Sequence, residues 1–224
     1  NLHMVEEMIE ALFSLHKEDI NVLLLTGNGK KFCAGADIKE MRPRGPTEWG
    51  KIVERYLDLI NAIIDLPVPV VAAMNGDAVG GGLGLCTASD IRISVKSARL
   101  GFPFIKLGLS GSDMGSSYFL PKLVGHATAT EMLYTGKLVT ADEAQKLGLI
   151  HRSVADENFE TEVNNYLKIF TEGPGYALRF TKRALVQSLD NSRPHQFAFE
   201  TYAQTQCLQC DDHKEGVAAF RDKR

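Results

Sequence analysis

Apolar positions along the chain follow two rhythms, one helical and one of short buried strands. Val5, Met8, Ile9, Leu12 and Leu15 recur three or four residues apart, with Glu6, Glu7 and Glu10 on the opposite side. That spacing predicts an amphipathic helix. The run "NVLLLTG" that follows is short, continuous and closed by a glycine, as in a strand buried on both faces. A glycine-bearing loop, "GNGKKFCAGAD", leads to a second helical pattern over residues 48–65. "PVPVVAAMNG" predicts another buried strand, "GLGLCTASD" a short buried helix and "IRISV" a third strand.

Strand, loop and helix thus alternate, which fits an α/β chain whose parallel strands are joined by helical crossovers. The character changes further on. "FETEVNNYLKIF", "YALRFTKRALVQSL" and "QFAFETYAQTQCLQC" all carry helical periodicity, separated by Gly173-Pro174-Gly175 and "DNSRPH". The expected organisation is an α/β core over residues 1–155 and a helical C-terminal region over 156–224.

Composition narrows the class of function. Of 224 residues, 44% are hydrophobic and 24% charged, and the net charge is −3, an ordinary globular balance without the basic footprint of a nucleic-acid binder. Lys30-Lys31, Lys182-Arg183 and the tail from Arg221 are only short basic clusters, read as solvated surface. No apolar run reaches membrane-span length, and the first residues do not resemble a signal peptide. Four cysteines, Cys33, Cys86, Cys207 and Cys210, do not form the framework of a secreted domain, so a reducing compartment is expected: cytoplasm, or the mitochondrial matrix in a eukaryote. Cys207 and Cys210 have the spacing of a zinc or redox pair but no matching second pair. They are expected on one face of a helix, with no metal site.

Candidate chemistry centres on "NGDAVGGGLGLCTASD", Asn75 to Asp90. A glycine-rich turn between a strand and a helix presents backbone N–H groups to something negative. The spacing fits neither a dinucleotide-binding turn nor a phosphate-binding loop with its Lys-Ser/Thr. The G-x-S-x-G elbow is absent too, "GLSGS" at Gly108–Ser112 being one residue short of it. What remains is a backbone oxyanion hole, or else simple close packing of helix on strand. The residues alone leave both readings open.

In combination the motifs are specific. "KKFCAGADIKEM" (Lys30–Met41) resembles the coenzyme A-binding segment of the crotonase, or enoyl-CoA hydratase/isomerase, superfamily. "PVPVVAAMNGDAVGGGLGLCTASDIRI", "LGLSGSDMGSSYFLPKLVG" and "LYTGKLVTADEAQKLGLIHRSV" resemble its later signatures in the same order. The resemblance implies a crotonase-like α/β spiral of β-β-α repeats with a helical C-terminal trimerisation region, as a homotrimer or dimer of trimers. It implies a coenzyme A thioester as substrate and no permanently bound cofactor. It places the two oxyanion N–H groups at Ala36 and Gly81 and the coenzyme A contacts at Lys30, Lys31, Cys33, Ala34, Ala36, Asp37 and Ile38. Asp37 and Asp90 also suit turn or cap roles. The resemblance further implies two strands before the first helix in family members, so an N-terminal piece is expected to be missing.

The hydratases that the chain resembles carry two glutamates, and the matching positions here are Gly84 and Phe104. One acid remains nearby. Asp113, in "GLSGSDMGSSYFLP", matches the segment in which isomerase branches carry a catalytic acid, although Gly108–Asp113 is one residue longer than the usual pattern. Ser112 or Asp113 also reads as a helix N-cap. A lone carboxylate suffices to move a proton between two carbons. The expected acyl pocket is Phe102, Phe104, Gly84 and Met114. Ser110, Ser112, Ser116 and Ser117 read as turn hydroxyls, and His126, His151, Tyr134 and Lys137 as structural. The resemblance allows Arg221, Lys223 and Arg224 to reach the phosphates. Double-bond isomerisation with Asp113 is the leading expectation. The alternatives are hydration or hydrolysis with Asp113 and a held water, and a non-catalytic acyl-CoA-binding subunit.

Overall fold

The computed structural model describes all 224 residues, Asn1–Arg224. The chain opens in α1, Leu2–Leu15, capped by Asn1, whose side chain accepts from the Met4 N–H at 2.9 Å. Its stripe of Val5, Ile9 and Leu12 joins Leu59, Ile60 and Ile63 of α2 (Pro46–Asp65) in one buried cluster. These are the two helices that the periodicity predicts.

The strands are β1 (Leu23–Thr26), β2 (Val70–Met74), β3 (Ala78–Val79), β4 (Ile91–Val95), β5 (Arg99–Gly101), β6 (Val139–Thr140) and β7 (Arg152–Val154). Four of them form a parallel sheet in the order β1-β2-β4-β7, with Leu23 beside Val70, Val71 beside Ile91 and Ile93 beside Arg152. β2 is buried at every position because it lies inside this sheet, which is why its sequence shows no alternation. A second sheet, β3-β5-β6, pairs β3 with β5 in parallel and β5 with β6 antiparallel. The sequence pattern does not predict it, because strands of two or three residues are too short to express a period.

The remaining helices of the α/β part are α3 (Gly81–Ala88), α4 (Ser116–Val124), α5 (His126–Thr135) and α6 (Ala141–Lys146). α6 is opened by a reciprocal capping box between Thr140 and Glu143. After β7 the chain is helical: α7 (Phe159–Glu172), α8 (Gly175–Ser188), α9 (Arg193–Cys207) and α10 (Asp211–Asp222). α10, which buries no residue, is not among the helical segments read from the pattern but lies within the helical region expected over 156–224. No helix is long and apolar enough to cross a membrane.

Two local expectations are corrected. Lys182 is not solvated surface: it is buried, donating to Ile63 O (3.2 Å) and Val68 O (3.0 Å) and pairing with Asp90 Oδ2 at 2.9 Å. The other oxygen-held contact of Asp90, from the Val70 N–H at 2.7 Å, fixes the end of β2, so Asp90 is the structural residue expected. Cys207 and Cys210 do not share a helix: α9 ends at Cys207, and Cys210 is the N-cap of α10, its thiol donating to the Cys207 carbonyl at 2.9 Å. No group of three or more His, Cys, Asp or Glu side chains gathers in ligating geometry anywhere in the chain.

Candidate active site

The loop before α2 is sewn to the second sheet by polar side chains. Asn75 accepts from the Gly27 N–H at 3.1 Å and donates to the Gly29 carbonyl at 2.8 Å. Asp77 accepts from Lys31 Nζ at 2.5 Å and from the Arg99 N–H at 2.8 Å. Cys33 bridges Ala78, and the Val79 N–H donates to its carbonyl at 2.9 Å. These ties bring "CAGAD" against the triglycine turn.

The two backbones meet at Gly35 and Gly81. Gly35 has φ +93°, and a Cβ there would lie 3.0 Å from Val79 O and 3.3 Å from the Gly81 nitrogen. The peptide N–H groups of Ala36 and Gly81 have no hydrogen-bond acceptor within the protein. Gly81 is the first residue of α3, where N–H groups lack helical partners and the dipole is positive. Gly82 is the packing glycine of the triplet, since a Cβ would stand 2.1 Å from Cys33 O. Gly82 thus fits the close-packing reading, while Gly81 leaves a peptide N–H unpartnered, as an oxyanion donor would require.

Around this point lies a cavity of about 780 Å³. It is lined by Cys33–Ile38, by Trp49, Ile52, Val53, Tyr56 and Leu59 of α2, by Val79–Gly81, and by Phe104, Ser110, Asp113 and Met114. Asp113 sits in a tight turn. Its N–H donates to Ser116 Oγ at 3.1 Å, and the fully buried Ser116 hydroxyl donates to Gly111 O at 2.6 Å. Met114 then takes φ +50° and Gly115 φ +75°, a left-handed pair that reverses the chain. A non-glycine residue held there costs about 1–3 kcal/mol, a strain the surrounding contacts must outweigh. Met114 Cγ and Cε lie 3.6 Å from where a Gly81 Cβ would be, so Asp113 is one residue from the side chain that covers the triglycine turn.

Burial pushes the Asp113 carboxyl above its ordinary value, and a hydrogen bond from the Met114 N–H to Oδ1 (2.8 Å) partly opposes this. No cation pairs with it. Asp113 is thus a half-buried carboxylate without a salt bridge. It does not cap a helix, nor does Ser112. α4 starts at Ser116 with Gly115 at its cap, and the Ser112 hydroxyl meets Ser117 Oγ at 3.0 Å. Asp37 does cap, accepting from the Lys39 N–H at 2.9 Å to open a single 3₁₀ turn.

The whole chain, residues 1–224, matches the family model described as enoyl-CoA hydratase/isomerase. The chain belongs to the enoyl-CoA hydratase/isomerase family. It is 34% identical to 1,2-epoxyphenylacetyl-CoA isomerase of Escherichia coli, over all of this chain and 87% of that protein. It is 35% identical to crotonyl-CoA hydratase of Syntrophomonas wolfei, over 92% of this chain and 79% of that protein. The crystal structure of enoyl-CoA hydratase from Bacillus anthracis superposes with a TM-score of 0.94 at 32% identity, covering 100% of this chain and 87% of that one. The α/β fold with a helical C-terminal region is therefore the crotonase fold, as the motifs implied.

Within this family member, Cys33, Ala34, Ala36, Asp37, Ile38, Gly81, Phe104, Asp113 and Met114 come together in the cavity. Four other candidates do not line it. Lys30 and Lys31 lie outside, and Lys31 is held by Asp77. Phe102 is fully buried in the core behind Phe104, ring centroids 6.0 Å apart. Gly84 is covered by Met114, whose Cβ would stand 2.6 Å from an added Cβ. His151 is packing: burial first, then Arg92 and Arg152, lower its pKa to about 4, so it is neutral at pH 7. Its Nδ1 accepts from the Arg92 N–H at 3.0 Å.

Sequence reasoning missed Asn75 and Asp77, which shape the site, and Glu40, Arg44, Trp49 and Tyr56, which line it. Arg44 stacks on Trp49, its guanidinium carbon 4.7 Å from the ring centroid, and bonds Glu48 at 2.8 Å. The first two stand in "MNGD", next to the glycines, where Asx turns are a standard signal. The α2 residues gave no signal beyond helical periodicity.

Proposed function

We propose that this acyl-CoA enzyme moves the double bond of an enoyl thioester, with Asp113 as its single base. The observation that carries the reading is the placement of Asp113 in the cavity beside Met114 and Gly81, while Gly84 and Phe104 offer no carboxylate. The thioester oxygen accepts from the Ala36 and Gly81 N–H groups, and the Ala34–Ile38 strip holds the coenzyme A arm. Asp113 takes a proton from C2 of a 3-enoyl chain. Negative charge spreads over the dienolate and is stabilised at the thioester oxygen. Asp113 then returns the proton to C4, leaving the 2-enoyl product and a regenerated carboxylate. Each oxyanion donor is worth about 2.7–4 kcal/mol in enzymes of this type of chemistry, and positioned proton transfer about 10²–10⁴-fold.

Ser110 supports a second reading. It lines the cavity with Asp113, and its hydroxyl accepts from the Ser112 N–H at 3.1 Å, leaving its proton free to hold a water for hydration or hydrolysis. The assembly we propose is a homotrimer or dimer of trimers through the helical C-terminal region, where Phe220 is 87% and Leu185 65% exposed in the single chain. Four unpaired cysteines suit a reducing compartment, cytoplasm or mitochondrial matrix.

The test is 3-hexenoyl-CoA with wild type and Asp113→Asn, following the conjugated enoyl-thioester absorbance. Conversion by wild type and its loss in the variant supports the isomerase. Hydration of crotonyl-CoA without isomerisation moves the assignment to the second reading. Thioester binding without either turnover makes the chain a binding subunit.

A further inference from the structure

Tyr56 is a polar group that the proposed reaction does not use. It lies on the face of α2 that lines the cavity. One turn further along the same face, Ile60 Cγ2 lies 3.7 Å from the position of a Gly115 Cβ, so this stripe runs beside the Asp113–Gly115 turn. The Tyr56 hydroxyl has no hydrogen-bond partner in the protein, whereas that of Tyr118, on α4, donates to Asp190 at 2.6 Å. Two carboxylates share the cavity with it. Asp113 is bonded only through Oδ1, to the Met114 N–H, and Glu40 only through Oε2, to the Leu2 N–H at 3.2 Å. Burial, then the charge of Glu40, then that of Asp113 hold the phenol proton above its ordinary pKa, with Arg44 opposing them. Tyr56 is therefore a neutral donor at working pH.

A hydrocarbon chain filling this space strips water from that donor and from the free carboxylate oxygens without replacing it. Each buried polar group left unpaired costs about 1–3 kcal/mol. An oxygen on the acyl chain removes the penalty. A hydroxyl there accepts from Tyr56 and donates to Glu40 or Asp113, satisfying both kinds of group at once. We infer that the site takes acyl-CoA thioesters whose acyl chain carries a hydroxyl oxygen, and that Tyr56 selects them by donating a hydrogen bond to it. This rests on the proposed acyl-CoA site but not on the proton shift performed there.

The experiment uses saturated thioesters, which do not isomerise. Dissociation constants of hexanoyl-CoA, 5-hydroxyhexanoyl-CoA and 6-hydroxyhexanoyl-CoA are measured by calorimetry with wild type and Tyr56→Phe. The variant keeps the ring and its packing. Wild type is expected to bind one hydroxylated form about tenfold more tightly than hexanoyl-CoA, the size of one hydrogen bond to an otherwise unpaired donor. Tyr56→Phe, which has no phenol to strand, is expected to bind hexanoyl-CoA more tightly than wild type does and to lose that preference. Equal or weaker wild-type binding of both hydroxylated forms overturns the inference, as does a preference that survives in Tyr56→Phe. Failure of wild type to bind any of the three thioesters refutes the acyl-CoA site itself, and with it this inference.

Discussion

The α-carbon of Gly84 faces the backbone of Met114 so closely that a Cβ would stand 2.6 Å from Met114 Cβ and 2.9 Å from its carbonyl oxygen. The space that a side chain at position 84 would need is thus occupied by the turn that carries Asp113.

Gly84→Ala should therefore destabilise the protein. Alanine in a helix gains up to about 1 kcal/mol over glycine, but overpacking of a filled core costs about 1–3 kcal/mol. A net loss of about 1–2 kcal/mol, read as a lower urea midpoint at unchanged slope, is expected. Gly84→Glu should not confer hydration of crotonyl-CoA. An unchanged midpoint for the alanine variant would show that Met114 yields easily.

Gly35→Ala tests the proposed oxyanion pair. The new methyl group would press on Val79 O and on the Gly81 nitrogen, from a φ that alanine rarely adopts. Loss of one well-aimed donor lowers kcat about 10²–10³-fold. That fall should appear with 3-hexenoyl-CoA. A wild-type kcat in a folded variant would remove Gly81 from the reaction.

The raised pKa of Asp113 has two consequences. As the proposed base, Asp113 must be ionised, so activity should be lost as pH falls through a value above the ordinary carboxylate range, giving an acid limb in kcat/KM shifted upward. For stability the sign is opposite to that of a salt-bridged acid. The folded state holds the proton more tightly than the unfolded chain, so wild type loses stability as pH rises from 3.8 through the raised folded value. Asp113→Asn keeps the acceptor for the Met114 N–H and has no charge to bury. It should be inactive yet melt higher than wild type at pH 7, with the gap narrowing as pH falls toward 3.8 and vanishing only below it. A gap of the reverse sign at pH 7 would mean that Asp113 is stabilised as an anion.

Lys182→Met should cost about 3–5 kcal/mol, because it strands the Asp90 carboxylate and removes the donor to Ile63 O and Val68 O. Adding Asp90→Asn should recover part of the loss in urea unfolding. If the double variant is no better than the single one, the cost lies in the two carbonyls and not in the uncompensated charge.

Much of this protein is written locally. The stripe of Val5, Ile9 and Leu12 specifies α1, the unbroken apolar run at Val70–Met74 specifies an interior strand, and the order of the motifs specifies the family. These features need only neighbours in sequence, since period and turn chemistry act over a few residues. Asp113 was legible for the same reason, as the acid left near the motifs once Gly84 and Phe104 are inspected, whereas Glu40, a second carboxylate of the cavity, was not. Tertiary structure decided the rest. Lys182 reads as a surface charge in "FTKRAL" until a helix more than a hundred residues from β2 carries it onto Asp90. Phe102 and Phe104 are two residues apart and look equivalent, yet only Phe104 reaches the cavity while Phe102 fills the core. Tyr56 is an unremarkable helix residue until α2 packs beside the Asp113 turn. Burial and charge pairing depend on which segments meet in space, and no local pattern encodes that.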